Sequence, residues 1–223
     1  MDTKKVGRDA MRLAEWLAEK AMAGVSPLSS ASDLADRYRL DLGYASDDRR
    51  VDALIRWETT KNFTAGFVTG LGGALTLPIA VPGSIAASWL IQARMAGAIA
   101  CLYGHDPRSD KVRTMVLLAL VGDATASKLL KGAGIGIGRH LAMRALEGVS
   151  RKGVSELQKE VGTKLLVKGA TQGTTRVSRL VPIAGGIVSG AFDAASCQVV
   201  GRTAKRVFRP TEAADGTGAR GRG

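Results

Sequence analysis

Apolar residues recur along this chain at the helical period, and the pattern predicts helices joined by short polar turns. Residues 8–23 put Leu13, Trp16, Leu17 and Ala21 near one face and stop at Gly24, so they read as an amphipathic helix. A loop over Ser26 to Ser32 and a short helix over 33–40 follow. Ser46 is placed to cap a longer helix, with Asp47 and Asp48 at the positive end of its dipole. Val51, Leu54, Ile55, Asn62, Phe63, Gly66, Phe67 and Gly70 keep approximate helical spacing and carry this helix into the most apolar part of the chain.

That part runs from Phe63 to Tyr103. The 31 residues from Phe63 to Ala93 hold no charge, and Arg94 is the only charged residue of the segment. As one unbroken helix the uncharged run would measure roughly 46 Å, more than the ~30 Å of a hydrocarbon layer. Pro78 and Pro82 each remove a backbone donor, so the run reads as a hairpin of two apolar arms bent at these prolines. Gly66, Gly70, Gly72 and Gly73 on the first arm and Ala86, Ala93 and Gly97 on the second permit close helix approach.

The second arm, Ser84 to Leu102, ends in Tyr103-Gly104-His105-Asp106-Pro107, which is turn chemistry. A helix is predicted over 109–131, a glycine-rich linker over 132–138, and basic amphipathic helices over 139–149 and 154–168. Val154, Leu157, Val161 and Leu165 form the apolar stripe of the latter. After a loop at 169–175 comes a second apolar element, Leu180 to Val200, with Gly186, Gly190 and Ala194 at four-residue spacing. Both apolar elements open with Pro-Ile-Ala, at 78–80 and 182–184, which chance in Ala/Gly-rich sequence explains better than an internal repeat.

The expected fold is all-α: a compact helical bundle around the glycine-rich apolar hairpin, which packs on the helix at 180–208. Residues 1–44 read as an N-terminal amphipathic helix and linker, 45–208 as the helical domain, and 209–223 as a tail disordered by composition. Composition agrees. Aromatics are 4% while glycine reaches 28 residues, which suits helices packed through small side chains better than a β-sandwich. Cys101 and Cys197 make no disulfide framework and read as small buried residues of a reducing compartment. The N-terminal stretch MDTKKVGRDAMRLAEW has no continuous apolar core, so no secretory signal is expected there.

The net charge of +12 falls entirely on the back of the chain: residues 1–93 hold 11 basic and 11 acidic residues, residues 94–223 hold 21 and 9. Such a half attracts anions, lipid headgroups or nucleic acid, or simply solvates the surface. Lys128, Lys131, Arg139, Arg144, Arg151 and Lys152, followed by Lys159, Lys164 and Lys168, ride on helices with apolar faces, the form that lies on anionic headgroups. Nucleic-acid binding has the charge but lacks interleaved aromatics or a reading motif. Trp89, near Arg94, fits either the interfacial belt of a membrane segment or an ordinary core. Arg94 and Asp193 are lone charges in apolar helices that are natural packing partners, so they are candidates for a buried pair; snorkelling of Arg94 to water is the alternative.

Enzymatic chemistry finds little support. His105-Asp106 resembles a metal-binding dipeptide, but the only other histidine is His140 and a capped turn explains the pair better. The glycines at 132–138 fit neither phosphate-loop template. No nucleophile motif, metal spacing or cofactor motif is present.

Several ordered blocks resemble the EcsC protein family. They are Thr69-Gly-Leu-Gly-Gly-Ala-Leu-Thr-Leu-Pro78, Gln92-Ala-Arg-Met95, Tyr103-Gly104 with Asp106, Val112-Arg113-Thr114 and Gly122-Asp123, then Val181 to Asp193 and Gly201 to Phe208. The resemblance spans roughly 45–208 and implies an all-α, membrane-associated bacterial protein; it assigns no catalytic residue. The expectation is therefore a non-enzymatic protein, at the cytoplasmic side of the cell membrane or in the cytoplasm. Its hairpin would insert in or pack at the membrane, with the basic helices on anionic lipid. The alternatives are a soluble module whose basic face binds an acidic protein partner, and an enzyme acting on a lipid-like substrate through Asp106, Asp123 or Asp193.

Overall fold

A helix that is apolar on every side must be covered on every side, and the fold follows from that requirement. The computed structural model describes residues 3–63, 81–136, 143–177 and 184–210. Among them the helices are α1 (Thr3–Ala23), α2 (Ala31–Arg39), α3 (Asp47–Phe63), α4 (Gly83–Leu102), α5 (Asp110–Val121), α6 (Asp123–Gly132), α7 (Arg151–Val177) and α8 (Ala184–Phe208), with a 3-10 turn at Met143–Leu146; there is no strand. The chain is all-α, as its periodicity predicts.

Helix α4 is the axis. Every residue from Ile85 to Leu102 is buried, and α1, α2, α3, α5 and α8 stand around it. Helix α7 lies outside this ring, against α1 and α5. Helices α1 and α2 share one continuous core with the rest: Leu13, Leu17 and Leu34 join Leu54, Ile85, Leu90, Ile99, Leu117 and Phe208.

Local signals set most boundaries. Ser30 and Asp33 form a reciprocal capping box that starts α2, and the Ser46 hydroxyl accepts from the Arg49 amide at the head of α3. Pro82 is the N-cap of α4. Gly104, at φ 83°, turns the chain out of α4, and the His105 amide closes back on the Ala100 carbonyl at 3.0 Å.

Three stretches differ in kind from the sequence expectation, and α1 begins at Thr3 rather than at residue 8. The helix expected over 109–131 breaks into α5 and α6 at Gly122, whose φ of 82° a continuous helix cannot contain. The described part of 139–149 is the 3-10 turn at Met143–Leu146, not an α-helix. The loop expected at 169–175 is helix, since α7 runs on to Val177. Its glycines serve close packing rather than termination. A Cβ at Gly169 would meet the Trp89 ring at 3.0 Å, and one at Gly162 would fall on the Ala10 carbonyl of α1.

The first hairpin arm over 64–80, the bend at Pro78, residues 137–142 with Arg139, the Pro-Ile-Ala of 182–184 up to residue 183, and the tail from 211 lie outside the described residues.

The approach of α7 to α1 yields a prediction. Gly162→Ala puts a methyl group onto backbone, which cannot give way as a flexible side chain can, so overpacking by about 1–3 kcal/mol is expected. Thermal unfolding should show a clearly lowered midpoint for Gly162→Ala, whereas the same change at Gly136, where a Cβ meets nothing within 4 Å, should leave it in place.

Candidate functional site

Arg94 is 5% exposed, on a helix with no other charge. Its counter-charge is Glu58 of α3, 1% exposed, with Nη2 to Oε2 at 2.9 Å. The Arg94 Nη1 donates to the Ser29 carbonyl at 3.4 Å and to the Ser29 hydroxyl at 3.3 Å, in the turn between α1 and α2. Arg94 thus does not snorkel to water, and its partner comes from α3. The side chain of Asp193, the partner expected from sequence, lies outside the described residues. Two residues before Arg94, Gln92 donates to the Ser88 hydroxyl at 3.1 Å and accepts from Ser196 of α8 at 3.4 Å.

Glu58 was legible in hindsight. Val51, Leu54, Ile55 and Glu58 recur at helical spacing and are all buried, so a carboxylate on an apolar stripe was the signal.

Beside this centre, α2 and α3 enclose an open groove of about 500 Å³ lined by Arg37, Tyr38, Asp41, Tyr44, Arg56 and Trp57 among others. Tyr38 and Tyr44 face each other with ring centroids 6.3 Å apart. Burial, and after it the negative charge of Glu58, pushes the Tyr38 hydroxyl up to about 12. Sequence reading assigned this corner no role, because its residues are scattered over α2, a loop and α3.

The basic residues divide by environment. Lys128, Lys131, Arg144, Lys152, Lys159 and Lys164 are exposed, and no ion pair of the described residues engages them. Lys111 reaches the Glu147 carbonyl, which ties the turn carrying Arg144 to α5. Arg151 is exposed as well, and it lines a hollow of about 480 Å³ together with Glu15, Glu19, Asp110 and Arg113. Lys168 is half-buried against Leu120, where burial pushes its amine below the usual lysine range. Trp89 is 3% exposed, with its ring over Gly169. Of its two readings the core one holds: no face of it is free to form a membrane belt.

His105 and Asp106 form a turn. The His105 ring Nε2 lies 2.8 Å from the Phe208 carbonyl at the end of α8, and Asp106 accepts from the Arg108 amide at 2.9 Å. Asp123 pairs with Arg206. Among the described residues no three His, Cys, Asp or Glu side chains are grouped to hold a metal ion. Cys101 and Cys197 are buried, and neither forms a disulfide among the described residues.

The sequence model of the EcsC protein family matches residues 15–210, most of the chain. Comparison with curated proteins and with solved structures finds no match.

Two outcomes follow from the buried groups. Glu58→Ala strands a buried guanidinium and should lower unfolding free energy by about 3–5 kcal/mol, while Glu58→Leu with Arg94→Met should recover most of the loss in urea titration. The folded value of Tyr38 lies above its ordinary 10.0, so the folded chain holds that proton more tightly than the unfolded one. Its stabilising contribution is whole below pH 10 and is lost as pH rises from there toward about 12. In base titration Tyr38→Phe should flatten the stability loss in that window.

Proposed function

The chain belongs to the EcsC protein family, and from the surface its helices present we propose that it acts without a chemical step, as a peripheral protein on the anionic, cytoplasmic face of a membrane. One observation carries the reading: Lys128 and Lys131 of α6, Arg144 of the 3-10 turn, and Lys152, Lys159 and Lys164 of α7 are exposed cations outside every ion pair of the described residues. Each Lys or Arg near an anionic surface contributes ~1 kcal/mol, so a handful suffices for reversible attachment.

Helix α4 is long and apolar enough to cross a membrane, yet its window is wholly buried inside the protein. In this reading the described arm of the hairpin is therefore the core of the domain that sits at the membrane, and the lipid contact falls to the basic helices. The complete burial of α4 also favours a second reading, a soluble module whose basic face takes an acidic protein partner.

Vesicle flotation separates the two. Binding is expected to anionic vesicles and not to neutral ones, and to fall steeply toward 1 M salt, where the screening length shrinks to about 3 Å. Replacing Lys128, Lys131, Arg144 and Lys152 by Gln should weaken it by two or more orders of magnitude, at about 1 kcal/mol per charge. Equal binding to neutral and anionic vesicles, or none to either, would sink the proposal and turn the search to protein partners.

A further inference from the structure

The corner between α2 and α3 shows an exposure that core packing does not explain. Among the described residues five large hydrophobic side chains are exposed, and three belong here: Leu40 at 79%, Leu42 at 92% and Trp57 at 56%. Single apolar side chains on a surface need no account, but a group of them rimmed by charge marks a contact site. Leu40 and Leu42 stand on either side of Asp41 in the sequence, and Asp41 and Trp57 both line the groove.

The groove is also electrostatically unbalanced. The nearby carboxylates are already engaged: Asp36 by Arg39, Asp47 by Arg50, Asp48 by Arg209 and Asp52 by Lys205. Asp33 closes the capping box of α2 and also feels the charge of Arg37 one turn along the helix. Asp41, the one carboxylate on the groove wall, accepts from the Gly43 amide of its own loop at 2.9 Å. Arg37 and Arg56 line the groove and enter no ion pair of the described residues. Arg37 instead donates to the Ser29 hydroxyl at 3.3 Å, the same oxygen that Arg94 reaches from inside at 3.3 Å. Two guanidiniums thus meet on one neutral oxygen, and Glu58 pairs with the inner one, Arg94.

Exposed guanidiniums beside exposed leucines and a tryptophan match the chemistry of a bilayer surface, where phosphates lie just above the acyl boundary. We propose that this corner is a headgroup dock: Leu40, Leu42 and Trp57 enter the interfacial layer while Arg37 and Arg56 bind the phosphate of an anionic phospholipid. The proposal rests on the membrane reading above and adds to it a second, apolar contact. The dock belongs to the α2–α3 side of α4, whereas α7 packs against α1 and α5. Its apolar part resists salt, as the basic helices alone do not.

The test uses the full chain and vesicles of phosphatidylcholine, with and without phosphatidylglycerol, some carrying brominated acyl chains that quench tryptophan at the interface. Trp89 is buried and Trp16 partly so, which leaves Trp57 as the reporter, with Trp57→Phe to assign the signal. The expected result is quenching that Trp57→Phe abolishes and that persists at high salt. Leu40→Ser with Leu42→Ser should lower vesicle partition roughly tenfold or more, with an unchanged unfolding midpoint because both side chains stand in solvent. Arg37→Gln with Arg56→Gln should remove the phosphatidylglycerol preference of the salt-resistant fraction.

Vesicle binding with Trp57 unquenched and the leucine variant unaffected overturns the dock and leaves the basic-helix reading in place. Binding that survives neutralisation of Lys128, Lys131, Arg144 and Lys152 but not loss of the leucines upholds the dock and overturns attachment through the basic helices. Absence of binding to every vesicle overturns both. A shift of Trp57 emission by glycerol phosphate in free solution, without vesicle partition, identifies a soluble-anion site and overturns the lipid dock.

Discussion

Arg94 lies in the middle of a helix that solvent does not reach, and the surrounding helices meet its charge from fixed directions. Taking a guanidinium out of water costs several kcal/mol unless a counter-ion and hydrogen bonds replace the lost hydration. Glu58 supplies the charge from α3, and Ser29 supplies oxygen from the turn before α2. Gln92, on the same helix, is bonded from α8 by Ser196. These contacts are directional, which matters on a helix rich in alanine. Its smooth faces offer neighbours little shape to resist rotation, whereas an ion pair and an amide bond hold one azimuth.

Close approach is the second constraint, and glycine serves it at distinct seams. A Cβ at Gly97 would meet the Cβ of Ala31 at 3.0 Å, and one at Gly201 would meet Ile55 at 2.8 Å and Met95 at 3.2 Å. Together with Gly162 against α1 and Gly169 against Trp89, these sites let long helices pack with few large side chains between them. The low aromatic content and high glycine content have this as their structural meaning. Dispersion between close backbones takes the place of bulky interdigitation.

A covered α4 changes where function has to be sought. Its composition qualifies it to cross a membrane, but composition does not distinguish lipid from protein as the apolar surroundings. With protein on every side, α4 organises the domain and leaves recognition to the periphery. There the charge is uneven: the acidic residues at the head of α3 are drawn into pairs with Arg50, Lys205 and Arg209. The cations of α6 and α7, and the guanidiniums of the α2–α3 groove, are left to face outward.

What the sequence determined by itself was the local grammar. The helical period, the Ser46 cap, the turn at Gly104 and the apolar stripe Val154, Leu157, Val161 and Leu165 all depend on residues within a few positions of one another, and all appear in the structure. The resemblance of its ordered blocks to the EcsC family was legible for the same reason. Tertiary structure decided the rest. Gly122 breaks a helix while Gly162 and Gly169 continue one, and a glycine's local sequence does not reveal whether it serves a turn or a close contact. Glu58 became the partner of Arg94, 36 residues away, and Trp89 became core, because pairing and burial depend on which helices meet in space.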